Sequence, residues 1–358
     1  MRRIEGLFPG MQFLGCFFQA TVIFWAALLL ASVTSAQVRP NADAEACENP
    51  NIRIDVRPNA DGPATVISVG FRMMDLTEIN DVKQTLTGDF AVLLSWTDAR
   101  LSQFQGCEIA LDKVWSPSVV FTNSGRLITS RPREVSIGPG GQVRYLQRYY
   151  GALASYHNLR DFPFDEHRFV VSLFPVDAPE NEVQLVDNEG FTGRRDLLNI
   201  SDWRIESVKG GIGRQFVDAF GKLHSIYNFE ITAHRITSYY VWKVIFPLCL
   251  IVVMSWFVFW IAPTQTDAQI GLSATAMLTM IAFIFATTNM VPKLGYFTRL
   301  DWFITGSTIL VFLALLQSVT TSYLVVRKRE QVSLRIDRVC RVAFPLAFAA
   351  LLLGVFFS

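Results

Sequence analysis

Residues 267–291 read DAQIGLSATAMLTMIAFIFATTNMV. As a helix rising about 1.5 Å per residue, the run is long enough to cross a hydrocarbon layer about 30 Å thick. It nevertheless carries Gly271, Ser273, Thr275, Thr279, Thr287, Thr288 and Asn289, which a helix facing only lipid does not need. At helical spacing Gly271, Thr275, Leu278, Ala282, Phe285 and Asn289 fall on one stripe. The stripe is polar at both ends and apolar in the middle, and Asp267 lies about one turn before it. Copies of such a helix around a symmetry axis would stack rings of these side chains, with a carboxylate ring at one mouth and an apolar constriction inside. The same small and hydroxyl residues also suit the packing of one membrane helix against another.

Three further apolar runs flank this one. Together the four are expected at about 239–261, 267–291, 300–326 and 339–358. Tyr239, Tyr240 and Trp242 make an interfacial belt ahead of the first, and Lys243 can reach headgroups. Arg327, Lys328, Arg329, Arg335, Arg338 and Arg341 lie between the third and fourth runs, which places that link in the cytoplasm by the positive-inside rule. The composition agrees: 51% of 358 residues are hydrophobic and only 18% charged, with mean hydropathy +0.31. That balance excludes a disordered chain and argues against an ordinary soluble enzyme. A net charge of +1 with no basic block in the first two thirds gives nucleic acid nothing to bind.

The N-terminus, 1–36, reads as a signal peptide. Arg2 and Arg3 precede an apolar stretch from Phe13 to Ala31, and Thr34 and Ala36 offer small residues before Gln37. An uncleaved anchor helix is the alternative. Cys16 precedes most of the apolar run, so it is not a lipoprotein cysteine. Residues 37–235 would then be exported. They hold 21 Lys and Arg against 26 Asp and Glu, a net charge of −5. Strand alternation is plain there: Ile67, Val69, Phe71 and Met73 share a face, as do Phe90, Val92, Leu94 and Trp96. In Phe169–Phe174 both faces look apolar, as in a strand buried between two sheets. Gly138-Pro139-Gly140-Gly141 reads as a hairpin turn. The fold expected is a multidomain membrane protein: an extracellular antiparallel β-sandwich at 37–235, followed by a four-helix transmembrane bundle at 236–358. A disulfide between Cys47 and Cys107 is chemically allowed outside the cell, and two free thiols are equally compatible with the sequence.

Several motifs then fall in the order of one family. Trp96-Thr97-Asp98-Ala99-Arg100-Leu101 resembles the second-strand signature of the pentameric ligand-gated ion channels, the Cys-loop receptor family. Trp115-Ser116-Pro117 resembles its Trp-x-Pro motif, and Phe162-Pro163-Phe164-Asp165 the core of its signature loop. Arg235 stands twelve residues before Pro247, as the family places its pre-membrane Arg and first-span Pro. Asn289 to Lys293 resembles the end of the pore helix and the following loop. The similarity is closest to bacterial members: Ser155 and Phe169 stand where the loop cysteines would be, and the cytoplasmic link is short.

The resemblance implies a homopentamer in a bacterial inner membrane, with its N-terminal domain in the periplasm. It would conduct monovalent cations through a pore lined by Gly271, Thr275, Leu278, Ala282, Phe285 and Asn289, with Asp267 setting selectivity. The agonist would be a small organic cation, drawn to aromatic faces, or a proton. Phe121, Phe174, Phe216 and Phe220 are the ligand-binding candidates, although Phe121 and Phe174 would equally serve as sandwich core. The second-strand aromatic of the family is replaced by Ala91. Coupling to the pore would run through Asp81, Pro163, Asp165, Arg235, Pro292 and Lys293. His157, His167, His224 and His234 all lie outside the membrane spans, where they could sense pH. The competing class is a membrane-anchored periplasmic sensor that does not conduct. An enzyme is not expected: HExxH, GxSxG and Walker patterns are absent, and no cofactor or metal motif is present.

Overall fold

The computed structural model describes Cys47, Pro50 and residues 52–288 and 294–357. The candidate signal peptide, and the pore and junction candidates Asn289, Pro292 and Lys293, lie outside the described residues. From Pro50 onward the chain forms one unit.

Among the described residues, twelve strands come first. The larger sheet runs β10 (Gly193–Arg194), β1 (Thr65–Asn80), β2 (Thr85–Thr97), β7 (Gln142–Ala154), β6 (Glu134–Ile137), β3 (Glu108–Ala110), with β5 (Ser124–Thr129) on β7 and β9 (Val183–Asp187) on β1. The smaller sheet runs β11 (Trp203–Val217), β12 (Lys222–Arg235), β8 (Glu166–Pro175), β4 (Val119–Phe121). Pairing is antiparallel except where β1 takes β9 and β10 in parallel. The sheets face each other through rings: Phe71 of β1 stacks on Phe229 of β12 at 4.4 Å and touches Phe90 at 5.5 Å. Ile67, Val69, Phe71 and Met73 are all fully buried, as alternation requires. The 138–141 turn joins β6 to β7. Its Gly140 and Gly141 have φ of 66° and 78°, and a Cβ at Gly141 would collide with the Asp98 carbonyl oxygen.

β8 differs from the two-faced reading. Phe169, Val171 and Leu173 enter the core, while Val170 is 37% exposed. Its outer face belongs to the surface of this chain, so the strand alternates despite its apolar composition.

Four helices follow: α1 (Ser238–Trp260), α2 (Thr266–Thr287), α3 (Arg299–Val326) and α4 (Glu330–Phe356), each long and apolar enough to cross a membrane. Val241–Ile245 of α1 is wound as a wider π turn just before Pro247. Pro247 lacks an amide hydrogen and its ring crowds the carbonyl four residues back, so a widened turn accommodates it. Thr298 caps α3 in a reciprocal box with Asp301. α4 starts nine residues before the expected 339, placing Arg335, Arg338 and Arg341 on the helix and leaving only Arg327–Arg329 as the link. Apolar length measures the membrane-crossing part of a helix. It does not find the end of a helix whose polar turns continue into water. Cys249 and Cys340 are free thiols.

Phe71→Ala should cost about 3–5 kcal/mol through the cavity it leaves between the sheets. Val170→Ala, on the outer face, should stay within about 0.5 kcal/mol. Thermal unfolding of the purified full chain compares the two, and equal shifts would contradict this division of faces.

Candidate functional site

The sandwich meets the helices through residues 155–165. Leu159 and Phe162 are fully buried in one apolar cluster with Val244 and Leu248 of α1 and Leu300 and Phe303 of α3. Main-chain and side-chain bonds reinforce the seam. The Leu159 amide donates to the Tyr296 hydroxyl (3.0 Å), the Arg299 amide to the Arg160 carbonyl (2.9 Å), and Arg299 Nε to Asp161 (2.8 Å). Pro163 is buried and follows a cis peptide. Phe164 packs edge-on against Phe356 of α4 at 5.5 Å.

Behind that seam sits a buried charge cluster. Arg235, the last residue of β12, donates Nε and Nη2 to the two oxygens of Asp165 (2.8 and 2.9 Å). Its Nη1 and Nη2 donate to Asp81 of the β1–β2 loop (2.8 and 2.9 Å). Two carboxylates thus share one guanidinium in a forked geometry that Lys cannot reproduce. The Trp203 ring lies 4.2 Å and the Phe162 ring 4.8 Å from the guanidinium carbon. Burial alone would push the Asp165 carboxyl up, but hydrogen bonds from His167 and Arg235 outweigh it and hold it at about 2. Burial likewise opposes ionisation of Asp81, and His157 and Arg235 overcome it, so Asp81 is also lowered. The two carboxylates raise Arg235 against its own burial.

His157 and His167 belong to this cluster, which reading the sequence residue by residue does not reveal. His157 Nε2 lies 3.0 Å from Asp81 Oδ1, and His167 Nε2 lies 2.6 Å from Asp165 Oδ2. His167 was traceable in principle: two residues beyond Asp165 on an extended segment, it shares that face. His157 had no such mark. His234 sits instead on the exposed outer face between Glu206 (2.9 Å) and Glu166 (3.7 Å).

On α2 the buried positions are Gln269, Ser273, Ala276, Met280 and Thr287. Ser273 Oγ meets Ser318 Oγ of α3 at 2.7 Å, and Gln269 Nε2 donates to the Ile261 carbonyl at 2.9 Å. The stripe identified from spacing is offset from these by two residues, roughly 200° around the helix. Gly271, Thr275, Leu278, Ala282 and Phe285 are accordingly all exposed, Leu278 at 68% and Phe285 at 74%. Asp267 is exposed at the head of the helix. Thr275 and Thr279 donate their hydroxyls to carbonyls four residues back, both at 2.8 Å. Ser273 and Thr287 therefore serve helix packing, and the stripe faces away from its own bundle.

The four aromatic candidates do not converge. Phe121 turns inward against Tyr149 (4.9 Å) and Phe71 (6.4 Å). Phe174 and Phe220 each lie 5.6 Å from the buried His224 ring between them. Phe216 is 57% exposed.

Residues 51–231 match the model described as the neurotransmitter-gated ion-channel ligand binding domain, and residues 244–335 match the neurotransmitter-gated ion-channel transmembrane region. The chain belongs to that channel family. A proton-gated ion channel of Gloeobacter violaceus is 25% identical over 297 residues, covering 81% of this chain and 82% of the relative. The gamma-aminobutyric acid receptor subunit rho-1 of Homo sapiens is 25% identical over 323 residues, covering 85% and 67%. The rho-2 subunit of Bos taurus is 24% identical over 333 residues, covering 86% and 71%. This neurotransmitter-gated channel family is one of pentameric ligand-gated ion channels, not of enzymes.

Arg235→Lys should lower thermal stability by about 3–5 kcal/mol, because it leaves buried carboxylate oxygens unpaired. The Asp165 carboxyl is depressed on folding, so its stabilisation is present above an ordinary carboxylate value of about 3.9 and lost as pH falls toward about 2. The difference in unfolding temperature between the wild type and Asp165→Asn should shrink as pH falls below about 4. A difference that persists undiminished below that pH would contradict this ordering.

Proposed function

We propose that five copies of this chain surround one axis as a cation-selective ligand-gated channel of a bacterial inner membrane, with the sandwiches in the periplasm. The outward stripe of α2 is the observation that carries this reading. It has no partner within its own bundle, and its order is a carboxylate, small polar residues, then large apolar ones. Around an axis, Asp267 makes a ring of negative charge at the cytoplasmic mouth that concentrates monovalent cations. Gly271 and Thr275 widen and wet the adjoining segment. Leu278, Ala282 and Phe285 form an apolar constriction that blocks ions by dewetting, and by sequence spacing Asn289 would be the next position of the stripe. Lipid would surround the remaining exposed apolar faces of α3 and α4.

The trigger is a small organic cation or a proton. Phe174, Phe216 and Phe220 lie along the β8–β12–β11 sheet and offer ring faces to an organic cation. Phe121 supports the sheet from inside. Binding reaches the pore through Asp81, Asp165 and Arg235, then Pro163, Pro292 and Lys293. Arg235 lies three residues from α1, so a shift in either carboxylate loop is a shift at the top of the bundle. An agonist moves the closed–open equilibrium only by its differential affinity for the two states.

Leu278→Ser tests the channel without knowledge of the agonist. A polar ring there should give constitutive current in asymmetric NaCl, reversing toward the sodium potential. Reversal toward chloride would remove Asp267 from selectivity, and silence from a pentamer confirmed at the surface would favour a non-conducting sensor. For an organic-cation site, Phe174→Ala and Phe216→Ala should each weaken agonist response by roughly 10-fold or more. An unshifted response in both would place the site elsewhere.

A further inference from the structure

The channel reading leaves open where a proton would act, and the buried cluster answers through its hydrogen-bond inventory. His157 is 98% buried in its side chain. Its Nδ1 lies 2.9 Å from the Ser155 carbonyl oxygen and its Nε2 3.0 Å from Asp81 Oδ1. A carbonyl oxygen accepts only, and so does an ionised carboxylate. Asp81 is held ionised by Arg235 and by His157 itself. A neutral imidazole has one N–H, so it can satisfy one of these acceptors and must press a lone pair against the other. Only the imidazolium satisfies both.

Charge balance points the same way. Asp81 and Asp165 carry two negative charges against the single positive charge of Arg235, leaving the cluster one negative charge in excess. One proton neutralises it. A second would create two imidazoliums, since the His157 and His167 rings are only 4.7 Å apart. His167 needs no extra proton for its contact: a neutral ring donating Nε2–H serves Asp165 at 2.6 Å. The titratable and charged groups facing His157 are Asp81 from the β1–β2 loop, His167 and Asp165 beside β8, and Arg235 of β12. Tyr240 of α1 packs on Phe162 at 4.8 Å, next to Arg235. Gln84 completes the tie: its Oε1 accepts from the His157 amide (2.9 Å), and its Nε2 donates to the Asp81 carbonyl (2.7 Å).

We propose that His157 is the proton-binding residue of this channel, taking one proton per subunit and, as the imidazolium, fastening the β1–β2 loop to residues 155–165. Loss of the proton sets a nitrogen lone pair against Ser155 O or Asp81 Oδ1, and one of the two contacts must open. Asp81 is held on a four-residue hairpin loop, and its release also frees half of the Arg235 fork. Proton occupancy therefore biases the junction on which gating depends. The consequence for current rests on the channel reading; the protonation itself does not.

The test uses the full chain in lipid bilayers with 15N-labelled histidine. Nitrogen shifts distinguish an imidazolium, with both nitrogens protonated, from either neutral tautomer. Between about pH 8 and about pH 5, the His157 signal, assigned by its absence in His157→Gln, should convert to imidazolium while His167 stays neutral. The second proton should bind at least ~10-fold more weakly than the first. Thermal unfolding over the same range should rise on acidification in the wild type, in His167→Gln and in His234→Gln, and lose that rise in His157→Gln. Two results would overturn the proposal: a His157 that stays neutral to about pH 5, or one that titrates together with His167 as two independent rings. An acid-induced rise surviving in His157→Gln would do the same. None of these readouts needs ion flow. A silent channel with a protonated His157 therefore sinks the function and keeps the site, whereas pH-gated current with a neutral His157 sinks the site and keeps the function.

Discussion

One guanidinium, shared by the buried Asp165 and the partly buried Asp81 and capped by two aromatic rings, ties the sandwich together at the end that meets the bundle. Arg235 ends β12, three residues before α1 begins. Asp81 arrives from the β1–β2 loop and Asp165 from the loop before β8. Three segments far apart in sequence are thereby tied at one point. Each carboxylate would be costly to bury alone, and each is tolerable because the forked Arg satisfies both oxygens. Removing any one member leaves a polar group of the others without its partner.

The helices follow a related economy. α2 presents one face to its own bundle and the opposite one to whatever lies outside it. The inner face uses Ser273 and Gln269, which find partners on α3 and on the α1–α2 turn. On the outer face Thr275 and Thr279 satisfy their hydroxyls on their own helix. Such hydroxyls cost little in an apolar surround. The two faces thus look alike in composition and differ in whether their hydroxyls reach a neighbouring helix.

Sandwich and bundle also divide the aromatic residues. Phe71, Phe90, Phe121 and Phe229 close the space between sheets, Phe162 and Trp203 flank Arg235, and Phe174 and Phe220 flank His224. A chain with 29 phenylalanines offers no compositional sign of which is which. Ring identity says only that a residue prefers burial or a face contact, and strand alternation says only which side it leaves from.

What residue order alone determined is whatever depends on local periodicity or fixed spacing. The stripe Gly271–Thr275–Leu278–Ala282–Phe285 was legible because helical geometry places residues three and four apart together without reference to any neighbour. The alternation of β1 and β2 and the 138–141 turn were legible for the same reason, whereas Asp165 and Arg235 were singled out only through the family resemblance. Other features required the folded chain. The start of α4 depends on where polar turns remain helical beyond the membrane, and the one-sided burial of β8 depends on what covers its outer face. The inward turn of Phe121 depends on which sheet lies beneath it. The position of His157 between a carbonyl and the Asp81 carboxylate, 76 residues away in sequence, follows from no local rule. Contacts between distant segments are settled by the packing of whole elements, and a histidine's chemistry is set by the two atoms its nitrogens meet.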